Sequence, residues 1–230
     1  MKPPSAVPVI AIDGPAGAGK STVSRLLAHR LGFFLLDTGA IYRSLALRAR
    51  EEAIDWSDGP RLGERAARLD IRFHDGADGQ RVVVDGVDAS EAIRTAAISD
   101  GASRVSALPE VRAALLDLQR AIAGRGGCVA EGRDIGTVVL PWAPLKFFVT
   151  AEVEERARRR HAELLARGQA SAELGTVIAE ILERDRRDET RASAPLRRAT
   201  DAILVDTSRL GIEEVVDLLE RAARQRLQLG

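Results

Sequence analysis

Residues 10–22 read Ile10-Ala11-Ile12-Asp13-Gly14-Pro15-Ala16-Gly17-Ala18-Gly19-Lys20-Ser21-Thr22, and this stretch decides the fold. The apolar run over 7–12 predicts a buried strand, and apolar residues at helical spacing over 23–31 predict a helix after the loop. Between them stands the pattern glycine, four residues, Gly-Lys-Ser, which is a P-loop in the strand-to-helix context that it requires. Glycines let successive backbone N–H groups turn inward around an anion, and the helix N-terminus adds unpaired donors. A phosphate-binding loop is therefore predicted, and a chance turn of small residues is the less favoured alternative.

The predicted loop gives each residue type a role toward a nucleoside triphosphate, for which ATP is the expected donor. Lys20 is expected to reach the outer phosphates, and a hydroxyl at the helix start is expected to ligate Mg²⁺. The candidate metal ligands are Ser21 and Asp37. The predicted nucleotide-binding residues are Gly14, Pro15, Ala16, Gly17, Ala18, Gly19, Lys20, Ser21 and Thr22.

Composition limits the partners and the compartment. The 230 residues carry 34 basic and 34 acidic side chains, so no overall field attracts nucleic acid or an anionic membrane. Lysine occurs only at positions 2, 20 and 146, which makes Lys20 stand out among arginines. The one cysteine, Cys128, allows no internal disulfide. With no signal peptide or apolar run of membrane-spanning length, we expect a cytoplasmic protein with no membrane partner.

The rest of the chain alternates strands and helices, which predicts an α/β fold of three layers around a five-stranded parallel sheet. The predicted strands are 7–12, 31–36, 128–130, 145–149 and 202–205. The predicted helices are 23–31, 40–52, 58–69, 95–124 in two pieces, 152–167, 174–190 and 212–227. Short β-like runs with Asp-Gly turns interrupt this pattern and predict a small antiparallel insertion over 71–95. The expected domains are a core of 1–70, 96–151 and 192–230, the insertion at 71–95, and a helical lid at 152–191.

Polar residues follow three of the predicted strands. The P-loop follows the first, Asp37, Thr38, Tyr42 and Arg43 follow the second, and Arg133 and Asp134 follow the third. Ligands bind beyond the carboxyl ends of parallel strands, so we expect these groups to converge around whatever lies beyond the P-loop phosphates. For Asp37 or Thr38 taken alone, a helix cap is the favoured alternative.

Two arginine stripes lie on the predicted lid helices. Arg156 and Arg160 share one helix face, and Arg184, Arg187 and Arg191 share another. Arginine binds phosphate oxygens bidentately and keeps its charge, so a helix that swings these cations over a triphosphate would act as a lid. The alternative is a solvated surface in which neighbouring Glu and Asp side chains, Asp185 and Asp188 among them, pair with the arginines.

Missing motifs exclude some classes of nucleotide-binding protein. The chain contains no asparagine and no Asp-x-x-Gly, so the guanine-reading and switch motifs of GTPases are absent. The three histidines are predicted on helices or in the insertion, and no metal cluster is predicted beyond the Mg²⁺ that a P-loop implies.

The sequence resembles the nucleoside monophosphate kinases, and specifically the bacterial cytidylate kinase family, along almost its whole length. The segments that carry the resemblance are 12–20, 36–43, 93–95, 102–106, 111–112, 131–141, 183–188 and 194–196. The Gly-Arg-Asp-Ile-Gly-Thr stretch at 132–137 and the insertion before Ile93 are the most specific. The resemblance implies a P-loop kinase fold, a monomeric protein, and transfer of the γ-phosphoryl group of ATP to CMP or dCMP, with UMP a poorer acceptor.

The resemblance also implies which residues act. The implied catalytic residues are Lys20, Arg133, Arg184, Arg156 and Arg160. The implied substrate-binding residues are Thr38, Tyr42, Arg43, Ser103, Arg112, Arg133, Asp134, Asp188 and Arg191. Position 38 holds Thr where Ser is expected, and the loop ends Lys-Ser-Thr where some relatives have Lys-Gly-Thr, which leaves the metal ligand open between Ser21 and Thr22. Three alternatives are weighed: a kinase of another small metabolite, a non-catalytic nucleotide switch, and a nucleic-acid-binding ATPase.

Overall fold

The structure is a computed structural model that describes residues 8–76, 79–166 and 173–229. Over these residues the chain forms strands and helices in alternation, with a cluster of short strands near the middle. The strands are β1 (Val9–Asp13), β2 (Phe34–Asp37), β3 (Ile71–Gly76), β4 (Gly79–Val84), β5 (Val87–Asp88), β6 (Cys128–Gly132), β7 (Leu145–Thr150) and β8 (Ile203–Asp206). The helices are α1 (Lys20–Leu31), α2 (Thr38–Glu51), α3 (Gly59–Ala67), α4 (Ala96–Val105), α5 (Pro109–Ala123), α6 (Val153–Ala166), α7 (Leu174–Thr190) and α8 (Ile212–Leu227).

The main sheet confirms the predicted fold class. In the described part of the chain it has five strands in the order β2-β6-β1-β7-β8. Strand β1 pairs in parallel with both β6 and β7, and β7 pairs in parallel with β8. Because β1 has a partner on each side, Ile10 and Ile12 are fully buried. The three strands that polar residues were predicted to follow, β1, β2 and β6, stand side by side.

The predicted insertion is confirmed as a small antiparallel sheet of order β3-β4-β5 among the described residues. Two irregular elements were not predicted. A 3₁₀ turn at Ala92–Arg94 follows the small sheet, and a five-residue π-helical turn at Ile135–Val139 follows β6. Both lie in stretches without clear periodicity, because one turn of helix is too short for an apolar repeat to show.

Some element boundaries differ from the prediction. Helix α1 continues to Leu31, Gly32 ends it with a left-handed φ of 66°, and β2 begins only at Phe34. The apolar run over 31–36 is therefore shared between a helix end and a strand, which hydrophobicity alone does not separate. Parts of three predicted segments lie outside the described residues: 7 in the first strand, 77–78 in the insertion, and 167–172 in the lid.

The described residues divide into two compact units. One unit holds the chain through Leu36 and from Ala121 onward, and the other holds Asp37–Arg120. In the second unit α2 packs against α4 and against the 3₁₀ turn. In the first unit α1 packs against α8, and α6 packs against α7.

The first unit has its own apolar core on the sheet. Side chains from β1, β7 and β8 pack with those from α1 and α8. This core includes Ile10, Ile12, Leu27, Phe147, Val205, Val216 and Leu219. Within residues 8–76, 79–166 and 173–229, no helix combines the length and apolar character needed to cross a membrane.

Candidate active site

The P-loop joins β1 to α1 and depends on its glycines. The backbone φ values of Gly14, Gly17 and Gly19 are 150°, 74° and 82°, which residues other than glycine rarely adopt. A Cβ at Gly14 would lie 1.9 Å from the carbonyl oxygen of Val149, so the loop could not pass β7 with a larger residue. Gly19 stands at the N-cap of α1 and supplies no side-chain cap. The first amide groups of α1 are therefore arranged as in an anion-binding helix start.

Lys20 is folded back over this loop. Its Nζ donates to the carbonyl oxygen of Pro15 at 2.7 Å, and the residue is buried. Burial, together with the positive charges of Arg133 and Arg184, lowers the pKa of Lys20 well below its usual value, and Glu131 and Asp188 act in the opposite direction. The predicted phosphate-binding cations Lys20, Arg133 and Arg184 are thus close enough to influence one another. The carboxylates of Glu131 and Asp188 offset part of the positive charge of these three cations.

Two crossed ion pairs join the end of β6 to the end of α7. Arg133 Nε donates to Asp188 Oδ2 at 2.8 Å, and Arg191 Nη2 donates to Asp134 Oδ1 at 3.1 Å. All four side chains are buried or nearly so. Although burial opposes ionisation, Arg133 and Arg184 hold the pKa of Asp188 below its usual value. The structure therefore brings four predicted substrate-binding residues together in two pairs, whose members are 55 and 57 positions apart in the sequence.

Asp13 is an acid in this cluster to which the sequence analysis gave no role. Its two carboxylate oxygens accept from the backbone N–H groups of Ile135 and Gly136, each at 2.7 Å. Burial raises the pKa of Asp13 to about 6, although these two hydrogen bonds act to lower it. The side chain thus fixes the π-helical turn that follows Arg133 and Asp134. The only signal in the sequence is a carboxylate that ends an apolar run directly before the P-loop.

Arg156, one of the two arginines of the predicted lid stripe, does not lie on an exposed helix face. Its guanidinium is buried against the P-loop, where Nη1 donates to the carbonyl oxygen of Ala16 at 3.1 Å and Nε donates to that of Ala151 at 2.9 Å. It also pairs with Asp185, in line with the alternative in which acids on α7 pair with the arginines. Arg160 is partly exposed and pairs with Glu163 at 3.2 Å, so the two arginines of the predicted stripe have different surroundings. The reason is that α6 packs against α7, which covers Arg156 and leaves Arg160 near the surface.

The remaining predicted residues lie in the second unit. Asp37 caps α2 by accepting from the Ala40 N–H at 3.0 Å, and its other oxygen accepts from Arg43 Nη2 at 2.7 Å. The cap favoured as the alternative for Asp37 is therefore present. Thr38, the first residue of α2, is buried.

Tyr42, Ser103 and Arg112 also belong to this unit. The Arg112 guanidinium carbon lies 5.8 Å from the centre of the Tyr42 ring, and Nη1 donates to the carbonyl oxygen of Ser106 at 3.2 Å. Ser103 Oγ is buried and has no hydrogen-bond partner among the described residues. A buried hydroxyl without a partner is costly in a protein interior, so this position is suited to a polar ligand.

The same geometry shows which of the predicted ligands, Ser21 and Asp37, could bind a magnesium ion. Among the described residues, no group of three or more His, Cys, Asp or Glu side chains could hold a metal ion by itself. Mg²⁺ bound with a nucleotide usually takes one or two protein ligands, with phosphates and water completing its shell. An exposed Ser21 hydroxyl in the first turn of α1 fits that requirement. Asp37 fits it less well, because both of its oxygens already accept hydrogen bonds.

Residues 10–225 match the family model described as Cytidylate kinase. The chain is 52% identical over 218 residues to the cytidylate kinase of Pseudomonas aeruginosa (strain LESB58), covering 94% of this chain and 95% of that relative. It is 49% identical over 222 residues to the cytidylate kinase of Geobacter sp. (strain M21), covering 96% and 95%. An uncharacterized protein from Eubacterium ventriosum has a crystal structure with a TM-score of 0.50 at 12% identity, over 95% of this chain and 99% of that one. At that identity the likeness concerns the fold alone.

Proposed function

The chain belongs to the cytidylate kinase family and is a nucleotide kinase, and we propose that it transfers the γ-phosphoryl group of ATP in line to CMP and dCMP, with UMP a poorer acceptor. The observation that carries this proposal is the cluster of the buried Lys20 with the half-buried Arg133 and Arg184 beside the P-loop. Cations placed in this way neutralise phosphate charge, which is the main task of the protein in phosphoryl transfer.

The donor phosphates are assigned to the P-loop. The amide groups of residues 14–22 hold the β-phosphate, and Lys20 moves from the Pro15 carbonyl oxygen to the outer phosphates. This exchange is favourable because a phosphate oxygen carries charge and a carbonyl oxygen does not. Mg²⁺, held through the Ser21 or Thr22 hydroxyl, supplies further neutralisation of the triphosphate when bound.

The acceptor needs cations more than it needs a base. The attacking oxygen belongs to a phosphate that is already ionised near neutral pH, so no side chain has to remove a proton. Arg133 and Arg184 reduce the repulsion between the two substrates' phosphates, and Arg43 is assigned to the acceptor phosphate by the family resemblance. Partial burial of these arginines strengthens each interaction, because the local dielectric is lower than that of water.

Base selectivity is assigned to Asp134, with Thr38, Tyr42, Ser103, Arg112, Asp188 and Arg191 as the other acceptor-binding residues. A carboxylate accepts from the exocyclic amino group of cytosine, and uracil offers a carbonyl oxygen at that position. UMP would therefore leave a buried acid facing an acceptor, which is a large penalty. The buried setting of Asp134 and its ion pair with Arg191 support this role.

A coupled assay of ADP formation with CMP, dCMP, UMP, AMP, GMP and shikimate tests the proposal. We expect turnover with CMP and dCMP, weak turnover with UMP, and none with the others. Equal kinetics for CMP and UMP would contradict the assigned selectivity, and turnover of shikimate alone would favour a kinase of another metabolite. Slow ATP hydrolysis with no acceptor dependence would favour a nucleotide switch.

Two variants test the assigned residues. Lys20→Ala is expected to abolish transfer with little change in the unfolding transition, and Asp134→Ala is expected to lower the CMP-to-UMP ratio more than it changes the KM for ATP. Arg158→Ala is the control, because its side chain is 63% exposed on α6 and pairs only at the surface with Glu155. Wild-type turnover in the Lys20→Ala variant would contradict the assignment of the P-loop to the donor phosphates.

A further inference from the structure

Side chains from two helices, α6 and α7, form hydrogen bonds with the backbone of the P-loop at Ala16. The Ala16 N–H donates to Asp185 Oδ1 at 3.3 Å, and the Ala16 carbonyl oxygen accepts from Arg156 Nη1 at 3.1 Å. Arg156 and Asp185 also form an ion pair with each other, and both are buried. One peptide on each side of Ala16 is thus held by a charged group, one from α6 and one from α7. Hydrogen bonds to charged groups are about twice as strong as those between neutral groups.

A second set of hydrogen bonds reaches the loop two residues further along, at Ala18. Arg159 donates to the side-chain oxygen of Thr207 at 3.0 Å and to its carbonyl oxygen at 2.7 Å. Thr207 Oγ1 in turn lies 3.4 Å from the carbonyl oxygen of Ala18 and 3.1 Å from that of Thr150. The first two turns of α6 therefore contact the P-loop directly through Arg156 and indirectly through Arg159.

Glycine at position 17 lets α6 approach this closely. A Cβ on Gly17 would lie 3.1 Å from the Arg156 Cβ and 3.2 Å from the Arg156 carbonyl oxygen, which is tighter than nearly all such contacts. The loop and the helix are consequently packed backbone to backbone. Movement of this part of α6 would break the ion pair between Arg156 and Asp185 and would leave the Ala16 carbonyl oxygen without its Arg156 donor.

We propose that Arg156 and Asp185 are positioning residues, which hold the Ala16 peptide so that the P-loop amides keep the geometry that binds the donor phosphates. Residues 153–159 of α6 then stay on the loop throughout turnover. This inference rests on the proposed function in that the bound donor is a nucleoside triphosphate. It departs from the prediction that Arg156 is a catalytic cation, because its guanidinium is already committed to Ala16, Ala151 and Asp185.

The variants Asp185→Asn and Arg156→Lys test this role. Asparagine keeps the size of Asp185 but loses its charge, and lysine keeps the charge of Arg156 but cannot reach three acceptors with one nitrogen. We expect each variant to raise the KM for ATP at least about tenfold, the equivalent of about 1.4 kcal/mol. The KM for CMP is expected to stay within about threefold. We also expect faster amide hydrogen exchange over 14–20 in the free protein. Arg158→Ala is the matched arginine control on α6, and Lys20→Ala should lower turnover without speeding exchange over 14–20.

Hydrogen exchange of the wild type gives a measurement that needs no variant to fold. Protection over 153–159 is expected to be the same in the free protein and with ATP and CMP both bound. A ligand-induced rise in protection there, or wild-type KM for ATP with unchanged exchange in Asp185→Asn, would overturn the inference. If the wild type fails to phosphorylate CMP, the proposed function falls, and titration of Asp185→Asn with a fluorescent ATP analogue still tests the positioning role.

Discussion

The raised pKa of Asp13 makes the stability of the enzyme depend on pH in a predictable direction. Burial raises this pKa from 3.8 to about 6 in the folded protein. The folded state therefore binds a proton at Asp13 more readily than the unfolded state does. The resulting stabilisation is fully present below pH 3.8, where both states are protonated, and it is lost as the pH rises through about 6. Asp13→Asn removes this titration and leaves the other ionisable groups in place.

The size of the effect follows from the two pKa values. A shift of about two units corresponds to roughly 3 kcal/mol over the whole range. Between pH 7 and pH 5 only part of this is realised, because the unfolded carboxyl is still ionised at pH 5. The linkage relation gives roughly 1 kcal/mol for that interval.

Urea unfolding of the wild type and of Asp13→Asn at pH 7, 6 and 5 measures this quantity. Other titrating groups contribute to both proteins, so the difference between the two free energies of unfolding isolates Asp13. We expect the wild type to gain roughly 1 kcal/mol relative to the variant on going from pH 7 to pH 5. A difference that stays constant across this range, or one that changes in the opposite direction, would refute the reasoning.

Asp13→Asn is also expected to affect turnover. Asparagine offers one acceptor oxygen where the carboxylate offers two, so one of the N–H groups of Ile135 and Gly136 loses its partner and faces an amide donor. The turn that follows Arg133 and Asp134 should shift, and kcat/KM for CMP should fall. Unchanged kcat/KM would show that this turn does not position those two residues.

Three further outcomes are expected. Gly14→Ala would set a Cβ 1.9 Å from the Val149 carbonyl oxygen, so it should lower the free energy of unfolding by more than about 2 kcal/mol, whereas Gly126→Ala, with open space around it, should change it little. Cys128 is buried and burial raises the pKa of its thiol to about 12, so iodoacetamide at pH 8 should label it only after urea unfolding; labelling of the native protein at the unfolded rate would contradict this. Ser103→Ala should leave urea stability unchanged or slightly higher, because the hydroxyl is buried without a partner among the described residues, while the KM for CMP rises; an unchanged KM would remove Ser103 from the acceptor-binding residues.

Local patterns in the sequence were sufficient for the elements and for the P-loop. The glycine spacing, the apolar runs and the Asp-Gly turns predicted the parallel sheet, the antiparallel insertion and the helices, and the structure confirms them. These features depend on neighbours within a few residues, so a pattern along the chain contains them. The errors fall at boundaries such as 31–36, where one apolar run serves both a helix and a strand.

The partners of the charged side chains needed the tertiary structure. The spacing of Arg156 and Arg160 placed them on one helix face. In the structure, however, Arg156 is buried against the P-loop, whereas Arg160 is partly exposed. This difference results from the packing of α6 on α7, which the sequence does not show. Lid movement itself stays a prediction. Asp13 and Asp185 gave no distinctive signal, because a carboxylate is common at strand ends and in charged helices.

The sequence by itself determined that a phosphate-binding loop opens a parallel α/β kinase fold, since the loop depends on glycines and a lysine that are adjacent in the chain. The tertiary structure decided which acids accompany the cations. Arg133 meets Asp188, Asp134 meets Arg191, and Arg156 meets Asp185 across separations of 29 to 57 residues. Such pairings depend on how strands and helices pack. A single sequence contains both residues of each pair but does not show that they are close in the folded protein.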